Sequence, residues 1–316
     1  MDMANTLKNS YFGTVFPEKW DIERIKQCCS NDPESVLAPQ PFWHKDFRPV
    51  PSNNLEQFGA YMGHEIAMQI KLAKQDGREL VLILPVGPMG MYHWAVYFLK
   101  EWNVSCEHVH GFNMDEWADE NGTTLSPEDP SSFQNAMLAA FYGPLGELTV
   151  PPAQRHFATK DQLPGYAEDI AALKARGARQ VLVFGIGRVC HIAFWEPHFA
   201  AEYATEADWM AATHRIGARL HPFTIEQNAI TSFRSNWSLI PCFANTVGPG
   251  ILFQSDYIIG GADGVLGRGM NWQGMSLWMT LRYGPSPSVT SSYIPTLPGK
   301  LFFLRELAGP LCADTN

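Results

Sequence analysis

The chain has 316 residues, of which 46% are hydrophobic and 17% charged, a globular composition that excludes a disordered polymer. Its net charge is −9 and no Lys/Arg-rich run occurs, which argues against a nucleic-acid partner. No apolar run reaches the roughly 18 residues of a membrane span, and the start Met1-Asp2-Met3-Ala4-Asn5 lacks the basic and apolar regions of a secretory signal, so a cytoplasmic protein with no membrane partner is expected.

Residues 1–54 are rich in Pro, Asn and aromatic residues without clear periodicity. They read as an N-terminal extension packed on a core domain at 55–316. Apolar residues at Phe58, Met62, Ile66, Ile70 and Leu72 predict a helix over 55–75. The run Glu79 to Pro85 is mostly apolar and suits a buried parallel strand. Gly87 and Gly90 follow, then a helical stretch over 91–102. Residues 106–112 read as a second strand, 131–141 and 167–176 as helices, and 180–186 as a third strand. Later, 256–259 and 300–304 are candidate strands, with 275–281 helical between them. This alternation predicts an α/β sandwich with a mostly parallel sheet. Ligands in such sheets bind beyond the carboxyl ends of strands. Chemistry is therefore expected in 86–90, 113–117 and 187–197.

Three segments there stand out. In Phe112-Asn113-Met114-Asp115-Glu116-Trp117, two adjacent carboxylates end an apolar strand, which is costly unless they are solvated, paired or used. A carboxylate in a partly apolar pocket can act as a base; an aspartate before a helix can equally cap it. In Gly187-Arg188-Val189-Cys190-His191 to Glu196-Pro197, a histidine and a carboxylate five residues on could form a proton-transfer pair, or the histidine could be structural. The run Leu84 to Tyr92 places glycines between a strand and a helix, which suits an anion cradle or an ordinary turn.

The six cysteines, Cys28, Cys29, Cys106, Cys190, Cys242 and Cys312, form no CxxC and are expected as free thiols. Cys106, His108 and His110 could share a strand face as a metal cluster, but no second ligand group closes the site, so no metal is expected.

Taken in order, these segments resemble the glucosamine-6-phosphate deaminase/isomerase family over roughly residues 55 to 305. The family's Leu-Pro-Thr-Gly-Gly-Thr-Pro with a nearby Gly-Met-Tyr resembles this chain's Leu84-Pro85, Gly87 and Gly90-Met91-Tyr92. Its Phe-Asn-Met-Asp-Glu-Tyr is similar to Phe112 through Trp117, and its Gly-Gly-Ile-Gly-x-Asp-Gly-His-Ile-Ala-Phe-Asn-Glu-Pro to Phe184 through Pro197. Its Leu-Thr-Val-Gly-x-Gly-x-Leu is similar to Asn245 through Leu252.

The resemblance implies a three-layer α/β/α sandwich, aldose–ketose chemistry on an amino sugar, and loss of ammonia. It implies that His191, oriented by Glu196, opens the sugar ring and that Asp115 moves the proton between C2 and C1. Gly87, Gly90, Glu116, Gly187 and Arg188 are implied at the substrate, with no cofactor. The partner is a small sugar or sugar phosphate, and a homo-oligomer is implied because family members are often hexamers.

The departures lie in functional loops. Val189 stands where the family has an aspartate, and Cys190 where it has a glycine. The first loop has lost both threonine hydroxyls, and Pro88 has no N–H to offer a phosphate. Arg234 and Arg268 lie near the family's basic positions without aligning. An altered or unphosphorylated sugar is therefore expected. A sugar-binding or regulatory protein with weak catalysis is the alternative, and a lactonase or ribose-phosphate isomerase of similar architecture a weaker one.

Overall fold

The computed structural model describes residues 2–29, 32–266 and 270–311; Arg268 and Cys312 lie outside them. In chain order the helices are α1 (Met3–Lys8), α2 (Ile22–Cys28), α3 (Leu55–Gln75), α4 (Gly90–Glu101), α5 (Phe133–Met137), α6 (Tyr166–Ala175), α7 (Glu206–Ala211), α8 (Pro222–Ser232), α9 (Pro249–Leu252) and α10 (Gly274–Arg282). The strands are β1 (Phe47–Ser52), β2 (Leu80–Leu84), β3 (Val109–Asn113), β4 (Asp115–Ala118), β5 (Arg155–His156), β6 (Arg179–Gly185), β7 (His214–Arg219), β8 (Phe243–Val247), β9 (Tyr257–Ala262), β10 (Val265–Leu266), β11 (Met270–Asn271) and β12 (Gly299–Leu304).

Seven strands form a parallel sheet in the order β1-β12-β9-β6-β2-β3-β5, flanked by helices. All five residues of β2 are buried, as a strand covered on both faces requires. α3 is capped by Asn54, whose side chain accepts from the Gln57 amide, and turns Phe58, Met62, Ile66 and Ile70 inward, whereas Leu72, expected on the same stripe, falls off it and is exposed. Burying side chains of this size contributes about 1.5–3 kcal/mol each. Gly63 lets α3 approach α4 closely, since a Cβ there would lie 2.5 Å from the Met91 carbonyl oxygen.

β1 falls within the segment read as an N-terminal extension, yet it pairs with β12 and forms an edge of the main sheet. A second, antiparallel sheet has the order β4-β8-β7. It too was absent from the sequence reading. It pairs Asp115 with Thr246 and Glu116 with Asn245, so two distant motifs meet across one ladder.

Connections leave β2 in both directions. β3 lies on one side of it and β6 on the other, and this reversal opens a crevice at the carboxyl ends of the strands. Among the described residues, no helix is long and apolar enough to cross a membrane. Cys28, Cys29, Cys106, Cys190 and Cys242 are free thiols.

Candidate active site

A cavity of about 690 Å³ fills that crevice. Its wall takes Pro85 to Met89 from the loop after β2, and Met114, Asp115 and Trp117 from the start of β4. Gly187, His191 and Phe194 come from the loop after β6, Gln227, Asn228 and Thr231 from α8, and Asp263 from the end of β9.

Asp115 is 6% exposed. Burial pushes its carboxyl well above the usual range, and the neighbouring Glu116 adds to the rise. A carboxyl so placed holds a proton more tightly than one in water and returns it to a partner of similar basicity.

Glu116 does not line the cavity, contrary to the place expected for it at the substrate. It points the other way and caps α5. Its Oε1 accepts from the Trp117 and Phe133 amides, both at 2.9 Å. Its Oε2 accepts from the Gln134 amide at 2.8 Å and the Ser132 hydroxyl at 3.1 Å. Burial raises this carboxyl, against the pull of the amides. The cap foreseen for an aspartate is thus made by the next residue.

His191 lines the cavity while only 4% exposed. Its Nδ1 lies 3.2 Å from the Thr224 hydroxyl and 3.4 Å from Glu196 Oε2. Glu196 is wholly buried, and its Oε1 accepts from the His221 amide at 3.1 Å. Burial raises the Glu196 carboxyl, but His191, Thr224 and His221 outweigh it and hold the group below the usual carboxylate range. A charged Glu196 fixes the ring through Nδ1 and leaves Nε2 for the cavity side.

The loop carrying His191 is a tight turn. The Gly187 amide donates to the His191 carbonyl at 2.9 Å, and the Cys190 amide to the Gly187 carbonyl at 3.0 Å. Cys190 has φ of +60°, the region that suits glycine. Where the family has that glycine, this chain carries a strained cysteine, a cost of about 1 kcal/mol. Val189 and Cys190 turn away from the cavity into an apolar cluster with Trp20, Cys28, Met279, Tyr283 and Val289. Phe194 donates its amide to the Thr246 hydroxyl at 3.0 Å, which joins the histidine loop to the β4–β8 ladder.

Of the other residues expected at the substrate, Gly87 and Gly187 line the cavity and Gly90 and Arg188 do not. Gly90 heads α4. The Arg188 guanidinium pairs with Glu226, and the Arg188 amide donates to Gln227 Oε1 at 2.7 Å. His108 Nε2 meets the Ile70 carbonyl and His110 Nε2 meets Glu79, so the two rings serve separate partners.

Sequence reasoning missed Asp263, His221 and Thr224. Asp263 follows a strand as the other loops do, so the same carboxyl-end rule extended to β9 would have found it. His221 and Thr224 reach the site only through the return of α8, and carry no local signal.

No family model matches the chain. Curated relatives do. It is 30% identical over 200 residues to glucosamine-6-phosphate deaminase of Caenorhabditis elegans, covering 62% of this chain and 68% of that protein. It is 28% identical over 223 residues to glucosamine-6-phosphate deaminase of Serratia proteamaculans (strain 568), covering 67% and 75%. Among solved structures, a monomeric glucosamine-6-phosphate deaminase superposes with a TM-score of 0.65 at 20% identity, covering 82% of this chain and 98% of that one. A 6-phosphogluconolactonase from Trypanosoma cruzi superposes with a TM-score of 0.57 at 14% identity, over 88% and 98%. These two structures share the fold. On the similarity to its curated relatives, the chain belongs to the glucosamine-6-phosphate deaminase family.

Proposed function

We propose that the protein is an amino-sugar isomerase/deaminase and that Asp115, His191 and Glu196 carry the chemistry. The observation that carries this reading is that Asp115 and His191 line one cavity, with Glu196 behind His191 at its Nδ1. Ring opening comes first. His191, held by Glu196, takes the proton from the anomeric hydroxyl and passes one to the ring oxygen as the C1–O bond breaks. Asp115 then removes the C2 proton of the open aldose and returns it to C1, through an enolamine. Electrons shift from C2 to C1 with no outside oxidant. Water adds to the resulting C2 iminium, ammonia leaves, and a ketose remains.

Gly87 and Gly187 bring backbone close to the sugar. The finer choice of sugar follows from the cavity's character. Val86, Pro88 and Met89 face it with no side-chain donor, Ser131, Gln227, Asn228 and Thr231 with neutral donors, and Asp115 and Asp263 with carboxyls, and no Lys or Arg is among the described residues that line it. Carboxyls favour sugar hydroxyls and an ammonium over a phosphate dianion. The reading therefore prefers an unphosphorylated amino sugar, in a cytoplasmic homo-oligomer.

Ammonia release from a panel of amino sugars, each with and without phosphate, tests this. Release of ammonia with formation of the matching ketose supports it. Binding of the sugars without release favours the second reading, a sugar-binding protein, for which Val189 in place of the family's aspartate is the motivating observation.

A further inference from the structure

We propose that the N-terminal segment is part of the catalytic machinery, because residues 12–28 hold His191 in place through His221 and through the turn before it; His221 is then a positioning residue. The proposal rests on the reading of His191 as the ring-opening group.

The first arm runs through hydrogen bonds. His221 caps α8: its Nδ1 accepts from the Phe223 amide at 3.1 Å. That leaves the proton on Nε2, which donates to the Val15 carbonyl. The amide of the same residue donates to Glu196, and one turn on, the Thr224 hydroxyl meets His191 Nδ1. Residues 221–224 thus hold both members of the proton-transfer pair, and Val15 holds residue 221. The Phe12 ring lies 5.1 Å from that of Phe223 and reinforces the contact.

The second arm is apolar. Trp20 and Cys28 pack with Val189 and Cys190, the two residues before His191, and Phe16 packs against the same cluster. Trp20 is itself fixed, since its Nε1 donates to the Ser288 carbonyl at 2.6 Å and its ring meets Phe16 edge-on at 5.7 Å. The Cys190 carbonyl accepts from the Ser291 amide at 2.8 Å. Val189, where the family carries an aspartate, joins the loop to the N-terminal segment by packing.

The groups facing His221 are Glu196, His191, the Val15 carbonyl and His198, whose ring lies 6.2 Å away. Two substitutions separate positioning from mere support. His221→Asn keeps an N-cap acceptor for α8 but loses the bond to Val15. Phe16→Ala loosens the apolar arm, which Phe223 of α8 also packs against, while leaving the groups that hydrogen-bond to His221 in place.

The His191 ring signals are recorded by NMR at one pH in the wild type and in each variant, with the pH profile of turnover beside them. We expect the ring signals and the profile to be displaced in both variants. We expect kcat to fall about tenfold with KM held within about threefold. Coincident His191 ring signals and coincident profiles in wild type and variants would overturn the proposal, whatever the melting temperatures do. The NMR comparison needs no turnover, so absence of ammonia release would sink the deaminase reading while this measurement still decides the role of the N-terminal segment.

Discussion

The ring of His191 packs directly on Gly187: a Cβ built at that glycine would lie 1.9 Å from His191 Nε2. The glycine therefore does more than allow a turn, because it makes the space that the imidazole occupies beside the cavity.

Gly187→Ala should push the ring off its place between Glu196 and the cavity. Turnover should fall by about two orders of magnitude, because a small misplacement of a reacting group costs that much. A structure of the variant reads the displacement directly. An unmoved ring, with activity near wild type, would show that the contact does not set the geometry.

Asp115→Asn should remove isomerisation while leaving the fold intact. The amide cannot take the C2 proton, and replacing a carboxyl whose ionisation burial disfavours does not cost stability. Loss of about three or more orders in kcat, with an unchanged circular dichroism spectrum, is expected. Near wild-type turnover would reduce Asp115 to a structural group.

Glu116→Gln tests the division of labour between adjacent carboxyls. It places an NH₂ against amide donors that now meet a carboxylate, and should cost about 1.5–3 kcal/mol of stability. Turnover per folded molecule should stay within about tenfold of wild type. Denaturant unfolding paired with kinetics measures both.

Asp263→Asn should stabilise the protein at alkaline pH. Burial raises the Asp263 carboxyl from 3.8 to about 6. The folded state then holds that proton more tightly than the unfolded chain does. Stability is lost as pH rises from about 4 through 6, and the loss reaches about 3 kcal/mol above that. The asparagine variant lacks this loss. Urea melts at pH 4 and pH 8 should show the variant gaining at pH 8 only; equal curves at both would refute the assignment.

Legibility in the sequence followed burial. β2, β6 and α3 are written as apolar runs or helical stripes, and the sheet and its carboxyl-end loops followed from them. β1 was hidden by Pro49 and Pro51, which disfavour a strand interior but are tolerated at the edge where β1 lies. β4 was hidden because Asp115 and Glu116 look like loop residues, and only pairing with β8 explains their burial. Asp115, His191 and Glu196 were visible because they lie in continuous motifs. The helix cap of Glu116, the support of His191 by His221, and the destination of Val189 and Cys190 depend on segments far apart in the chain. No local pattern carries them.

The central claim is that this cavity releases ammonia from an amino sugar by proton transfer through Asp115. Incubating the protein with an amino sugar deuterated at C2, and following ammonia, ketose and the label at C1 by NMR, tests it most directly. The account predicts ammonia and ketose in equal amounts, transfer or wash-out of the C2 label, and loss of both with Asp115→Asn. Sugars that bind by calorimetry yet keep their C2 label and their nitrogen would contradict it.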